Sequence, residues 1–511
     1  MVRKSLYHTT ICMSIKISDV DVSFQAVMGI QLVITLIVAT LLHKVIPYIS
    51  PAQFSIRGLK RYKEPSTDLL WRYRVGQVVS SKKGKDKRKV QDPAGVILND
   101  VMFSVPRDND IELETEKIQC SDLYNIHFCD NYEWIVNFGL SSLAVYVLTQ
   151  IYFMCWPEME SQEMNLSIIW LLVAFFNSMY IFYLFNMALF RGSGGAHGEQ
   201  SLMILCGCCF FVIAMAVMLL DDGILELGID KAFDNITAKA TVFKQKTSIT
   251  TGEWQGALTV WKLILGALCG LVASFLTFPS FRMARLHLDS LKQTSSKLIS
   301  ILCNINFFAP LFLSIMWVKP LARDSFVSET SSDSKLTDEL FDVFRLGAIF
   351  CFCLFRIALL RLHLQTHLAL AEERFIQSKR EPGRIMAVEL QTMIQRVSLY
   401  LVGVALQYLV PVIVLMSLAL LAHSFGSYSF SQGHHLLLLH NSTASVSRYK
   451  WGVNAEDEAV QQLGFVISQL AEVIDTPVFW EKHVMFGCWW MVTVWFGLSS
   501  LGIMYYRCAA V

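Results

Sequence analysis

Arginines and histidines recur along an apolar stretch, FRLGAIFCFCLFRIALLRLHLQTHLAL, from Phe344 to Leu370. Arg345 and Arg356 are eleven residues apart, which brings them within about 20° of each other on a helix turning about 100° per residue. His363 follows Arg345 by eighteen residues, five whole turns, and His367 and Arg374 fall within about 40° of the same line. Arg361 lies on the opposite side. The pattern predicts one continuous helix with a polar stripe of Arg345, Arg356, His363 and His367. An arginine at the centre of a bilayer costs at least ~2.5–3.5 kcal/mol, and less if its head reaches the interface. Two readings are open. In the favoured one, Arg356 snorkels to the headgroups from a shallow depth, one and a half turns from Arg361. In the other, the stripe faces the bundle interior or a water-filled pathway. The arginines are too widely spaced for a voltage sensor.

The remaining chemistry-bearing residues are weaker signals. His287 and Asp289 near a membrane could belong to an intramembrane acyltransferase, but no nucleophile or substrate cue accompanies them, and an interfacial connector is the simpler expectation. Arg285 and Asp289 stand at i,i+4 and can pair. Asn304, Asn306 and Pro310 fall in one apolar run, Gln407 and Pro411 in another. Amides in spans usually serve as interhelical hydrogen-bonding groups, and a proline frees a carbonyl that neighbours must satisfy, so these two helices are candidates for a kink, hinge or cavity. Cys206, Cys208 and Cys209 cannot converge on a metal from one helix, and read as packing residues. His434, His435 and His440 are a weak metal cue. The Gly-rich run 192–199 lacks a phosphate-binding lysine. The expectation is of no catalytic residues, no metal and no cofactor.

These residues need a scaffold, and composition says which. The chain has 511 residues, 54% hydrophobic and only 17% charged, against about 25% charged in soluble domains. A formal net charge of +1 gives no field for nucleic acid. A helix crossing about 30 Å of hydrocarbon needs roughly 20 apolar residues. Nine runs qualify: 26–46, 134–155, 166–189, 201–220, 258–277, 298–318, 343–361, 397–422 and 484–505. The fold class is therefore all-α, a polytopic transmembrane bundle of about nine spans, or eight if the first is a cleaved signal. Residues 1–25 read as an extension and 26–46 as the first span or signal anchor. Residues 47–133 read as a long polar loop, cytosolic and partly disordered, with KKGKDKRK at 82–89. The main bundle covers 134–423 and includes a cytosolic helical hairpin at 362–396, broken by Pro382 and Gly383. Residues 424–483 form an outer loop, and 484–511 the last span and tail. Basic residues then cluster in 47–133, 278–297 and 362–396, on the inner side. The sequons at Asn235 and Asn441 fall on the outer side, where glycosylation occurs. A third, at Asn165, abuts a span.

The segments MGIQLVITLIVATLLHKVIP (28–47), LTFPSFRMARLHLDSL (276–291), INFFAPLFLSIMWVKP (305–320), FRLGAIFCFCLFRIALLRLHLQTHLALA (344–371) and VELQTMIQRVSLYLVGVALQYLVP (388–411) closely resemble the transmembrane protein 161 family. Their order and spacing also fit. The resemblance implies a multi-pass, glycosylated membrane protein, not an enzyme, linked to regulation of ion currents and cardiac rhythm and to the oxidative stress response. It carries over no established functional residues, although the family pattern includes arginines matching Arg345, Arg356 and Arg361. Expected partners are the lipid bilayer and ion-channel subunits, with no nucleic acid. The plasma membrane is the favoured location, and the endoplasmic reticulum or another endomembrane the alternative. A transporter or channel in its own right, using the stripe, is the second functional reading. An intramembrane lipid enzyme is the third.

Overall fold

The structure is a computed structural model that describes residues 30–45, 48, 50–71, 103–107, 111–119, 122, 126, 128–156, 165–191, 197–220, 222–247, 256–326, 338–426 and 476–509. The run KKGKDKRK, the three outer-loop histidines and Asn441 lie outside those residues. Among the described residues, eight helices are long and apolar enough to cross a membrane. They are α3 (Cys129–Cys155), α4 (Ser167–Arg191), α5 (His197–Val217), α7 (Ala257–Gln293), α8 (Lys297–Ile315), α10 (Asp338–Arg380), the pair α11 (Ala387–Leu399) and α12 (Leu401–Phe425), and α13 (Pro477–Ala509). A ninth apolar helix, α1, is described over Ile30–Lys44. It is tied to the bundle by buried Gln31, whose Oε1 accepts from the Leu166 N–H at 2.9 Å.

The bundle is organised around α12. Its apolar residues show no preferred face, the pattern of a helix surrounded by protein. The whole apolar window of α12 is buried, packed against α3, α4, α7, α10 and α13. Elsewhere helices approach through small residues. On α5 and α7, Gly207 and Gly270 face each other so closely that a Cβ on Gly270 would stand 2.9 Å from the Gly207 carbonyl oxygen. Of the neighbouring cysteines, Cys206 is buried, while Cys208 and Cys209 are exposed.

Three segments hold structure that the hydropathy pattern does not show. α7 runs through Pro279 to Gln293, so His287 and Asp289 stand on the span's own extension rather than on an interfacial connector. The segment after α5 contains an amphipathic helix, α6 (Ile229–Thr247), on which Asn235 is exposed. The segment 47–133 contains ordered elements as well: α2 (Pro51–Ile56), β1 (Lys60–Tyr62), β2 (Ser104–Pro106) and β3 (Thr115–Lys117).

These elements dock on the helical hairpin. β1 pairs antiparallel with β3, and β2 with β4 (Arg384–Met386), at the turn of the hairpin. The Gln365 side chain of α10 accepts from the Lys60 N–H (3.0 Å) and donates to the Lys60 carbonyl (3.1 Å), so it extends the β1–β3 ladder. Tyr62 donates its hydroxyl to Glu372. Burial, that bond and the carboxylate's charge push the Tyr62 pKa up to about 12, which keeps it a donor. Leu70, Phe103, Val105 and Ile111 form a second small core with Phe375, Ile385, Leu390 and Ile394. The described residues of 50–71, 103–107 and 111–119 therefore share one end of the bundle with 362–396. At the other end, Leu225 bridges Val318, and Lys482 lies against Gly228, gathering the segments after α5 and α8 and the start of α13.

The Gly207–Gly270 approach generates a prediction. Gly270→Ala must push α5 from α7 because backbone cannot yield, and should cost about 1–3 kcal/mol. Thermal unfolding in detergent reads this out, and an unchanged midpoint would refute the close packing.

Candidate polar site within the bundle

The stripe lies on α10 because no helix breaker interrupts its 43 residues. Its members all point inward. Arg345, Arg356, His363 and His367 are at most 4% exposed. Snorkelling is thus ruled out for Arg356, which is 1% exposed. The physical reason is twofold. The side chain faces the bundle and not its surface, unlike exposed Arg361, which donates to the Arg57 carbonyl at 3.1 Å. The Arg356 side chain also has a better partner inside.

That partner is aromatic. The Arg356 guanidinium carbon sits 3.8 Å from the Trp495 ring centroid of α13, 5.1 Å from Phe352 and 5.8 Å from Tyr408 of α12. Among the described residues no carboxylate makes an ion pair with it, and its Nε and Nη1 have no hydrogen-bond partner. Burying an unpaired ion costs several kcal/mol. Desolvated cation–π contacts return about 2 kcal/mol each, so three such faces are of the order needed to offset it. Tyr408 also donates to the Arg356 backbone carbonyl at 2.9 Å, locking α12 to α10 at this level.

One and a half to two turns further along, hydrogen-bond arithmetic fixes a directed chain. Thr366 donates to the Leu362 carbonyl (3.0 Å), so its oxygen accepts from Ser290 (3.3 Å). Ser290 has no second proton, and must accept from His363 Nδ1 (3.1 Å). His363 is then the neutral Nδ1–H tautomer, with Nε2 accepting from Asn306 Nδ2 at 3.5 Å. A serine beside a histidine suggests a nucleophile, but here the imidazole donates to the serine instead of taking its proton, and Ser290 is fully buried. His367 donates from Nε2 to the Val397 carbonyl (3.2 Å), satisfying one of the last carbonyls of α11 where that helix gives way to α12. Gln407 accepts from Arg282 Nε at 3.2 Å. Asn304 is half-buried, and Pro310 and Pro411 lie inside continuous helices. His287 stacks on Phe307 at 4.7 Å and is separate from Asp289, which pairs with Arg285 at 3.7 Å.

Each end of the stripe opens on a cavity. At the hairpin end, one of about 500 Å³ is lined by Thr366, Asp289, Lys292, Glu372, Glu373 and Arg380. At the other end, one of about 400 Å³ reaches Arg345 and Trp317. Arg345 and Arg323 share Asp342, each at 2.7 Å, and Arg323 also pairs with Glu226 at 2.9 Å. Neither cavity is lined by Arg356 or His363. Between Arg345 and Arg356 the wall is fully buried Ile349 and Cys353. Among the described residues, no three His, Cys, Asp or Glu side chains cluster in a way that could hold a metal ion.

The sequence placed the stripe on one face but could not identify what faced it. Trp495, Tyr408 and Ser290 are functional neighbours that sequence reasoning missed, because each lies on a different helix and no local pattern marks it. A cage held by aromatic packing makes a distinctive prediction. Trp495→Ala should cost about 3–5 kcal/mol by opening a cavity beside an uncompensated charge. Arg356→Met, which removes the desolvation cost and keeps the bulk, should leave thermal stability unchanged or raised. If Arg356→Met destabilises more than Trp495→Ala, the cage account fails.

The chain belongs to the family described as predicted transmembrane protein 161AB, whose model matches residues 26–509. No solved structure matches the chain.

Proposed function

We propose that this member of the transmembrane protein 161AB family is a non-enzymatic regulator of ion currents, acting in the plasma membrane through association with channel subunits rather than by conducting ions. The family resemblance supports the link to ion currents. The observation that carries the choice of regulator over conductor is the state of Arg356. A fixed positive charge, caged by three aromatic rings and cut off from both cavities, is a barrier to cations and a poor stepping-stone for anions. The non-enzymatic reading is supported by the direction of the His363–Ser290 bond, which leaves the serine unactivated.

Removal of the protein from an excitable cell should change the amplitude or voltage dependence of its currents, and re-expression should restore them. Unchanged currents in the knockout would end this reading.

A second reading is favoured by one observation. The chain from His363 through Ser290 ends at Thr366, which lines the hairpin-end cavity, as expected of an occluded transporter. A membrane-impermeant thiol reagent applied at that end separates the two. Thr366→Cys should react, and His363→Cys should be protected in the regulator reading. Comparable labelling of both would favour a transporter.

A further inference from the structure

We infer that the cavity at the Arg345 end is a binding site for a phosphate-bearing ligand. Five basic side chains line it: Lys231 on α6, Lys319 after α8, Arg323 on the short helix α9 (Arg323–Phe326), Arg345 on α10 and Lys482 on α13. Three acidic side chains, Asp222, Glu226 and Asp324, line it as well. Lys231 is held by Asp222 at 3.4 Å, and Lys482 by Glu481 at 3.0 Å. Asp342, behind the wall, takes one hydrogen bond each from Arg323 and Arg345. Arg323 pairs with Glu226 at 2.9 Å and with Asp342, so four of the five cations have a carboxylate partner and, among the described residues, Lys319 has none.

Two observations point to a missing oxyanion. Arg345 is 3% exposed, yet its Nε and Nη1 have no hydrogen-bond partner, and the nearest carboxylate oxygen to Nη1, from Glu226, is 3.9 Å away. The Trp317 ring at 4.6 Å from its guanidinium carbon holds the fork in place. Leaving such donors dry is costly, and a guanidinium fork matches phosphate geometry. The second is Lys319, which makes no ion pair among the described residues although it lines the same cavity. A tetrahedral phosphate can take both free Arg345 donors and still offer an oxygen to Lys319. The volume, about 400 Å³, accepts a whole headgroup. Beside Lys319, whose N–H bonds the Ile224 carbonyl, Ile224 and Leu321 are 54% and 61% exposed. Exposed apolar residues beside a cavity cation suit a phospholipid, with acyl chains outside and phosphate within. Free inorganic phosphate would use the same donors.

The test uses the full chain in detergent, with Lys319→Gln as the main variant because its side chain supports no ion pair that folding needs. Wild type is titrated separately with inorganic phosphate and with phosphatidylglycerol in mixed micelles, following the unfolding midpoint. At least one should raise it, and Lys319→Gln should need about tenfold more ligand, the effect of losing one charge-assisted contact. Stabilisation by phosphatidylglycerol but not phosphate assigns a lipid headgroup, and the reverse assigns a soluble anion. Lys239→Gln, on α6 and away from the cavity lining, serves as the control for general charge. No stabilisation by either ligand, or equal loss in the Lys319 and Lys239 variants, overturns the proposal.

Discussion

The contact on which this bundle turns is the Arg356 guanidinium against the Trp495 ring. It joins the helix carrying the polar stripe to the last helix, and Tyr408 brings in the buried central helix at the same level. A carboxylate would have held the charge more strongly, but at the cost of desolvating a second ion. Aromatic faces are already dehydrated and double as packing surface, so the cation can stay charged in a tightly packed interior. Neighbouring features follow from that choice. The wall toward Arg345 can be apolar, and His363 can remain a neutral donor to Ser290 instead of a counter-charge.

The site was partly legible. Helical periodicity put Arg345, Arg356, His363 and His367 on one face, since spacing alone decides that. Periodicity says nothing about whether a face meets lipid, headgroups or protein. Snorkelling by Arg356 was legible as an option from spacing, but the aromatic side chains that bury it come from other helices and leave no mark on the α10 pattern. The amide positions divide in the same way. Asn306 and Gln407 find partners on other helices, whereas Asn304, two residues from Asn306, sits on the half-buried side of α8.

The fold was legible where hydropathy is strong. Eight span-length helices and one shorter apolar helix stand where nine apolar runs were read, and the family match covers the same region. It was illegible where order comes from tertiary contact. Strands of three residues, such as Ser104–Pro106, carry too little pattern to be seen alone. They exist because β4 supplies hydrogen bonds and the hairpin supplies Phe375 and Leu390 to bury Val105. Pro279 stands inside α7 for a related reason. A proline in a span breaks a helix only if its freed carbonyl and bulk go unaccommodated, and packing against α13 lets α7 continue.

The central claim is that Arg356 is a caged structural charge rather than part of a conduction path. Ion and solute flux through the purified, folded protein in liposomes tests it most directly, with wild type beside Arg356→Gln. The account predicts no flux from either protein. Flux through the wild type that Arg356→Gln abolishes would contradict it and make Arg356 part of a pathway.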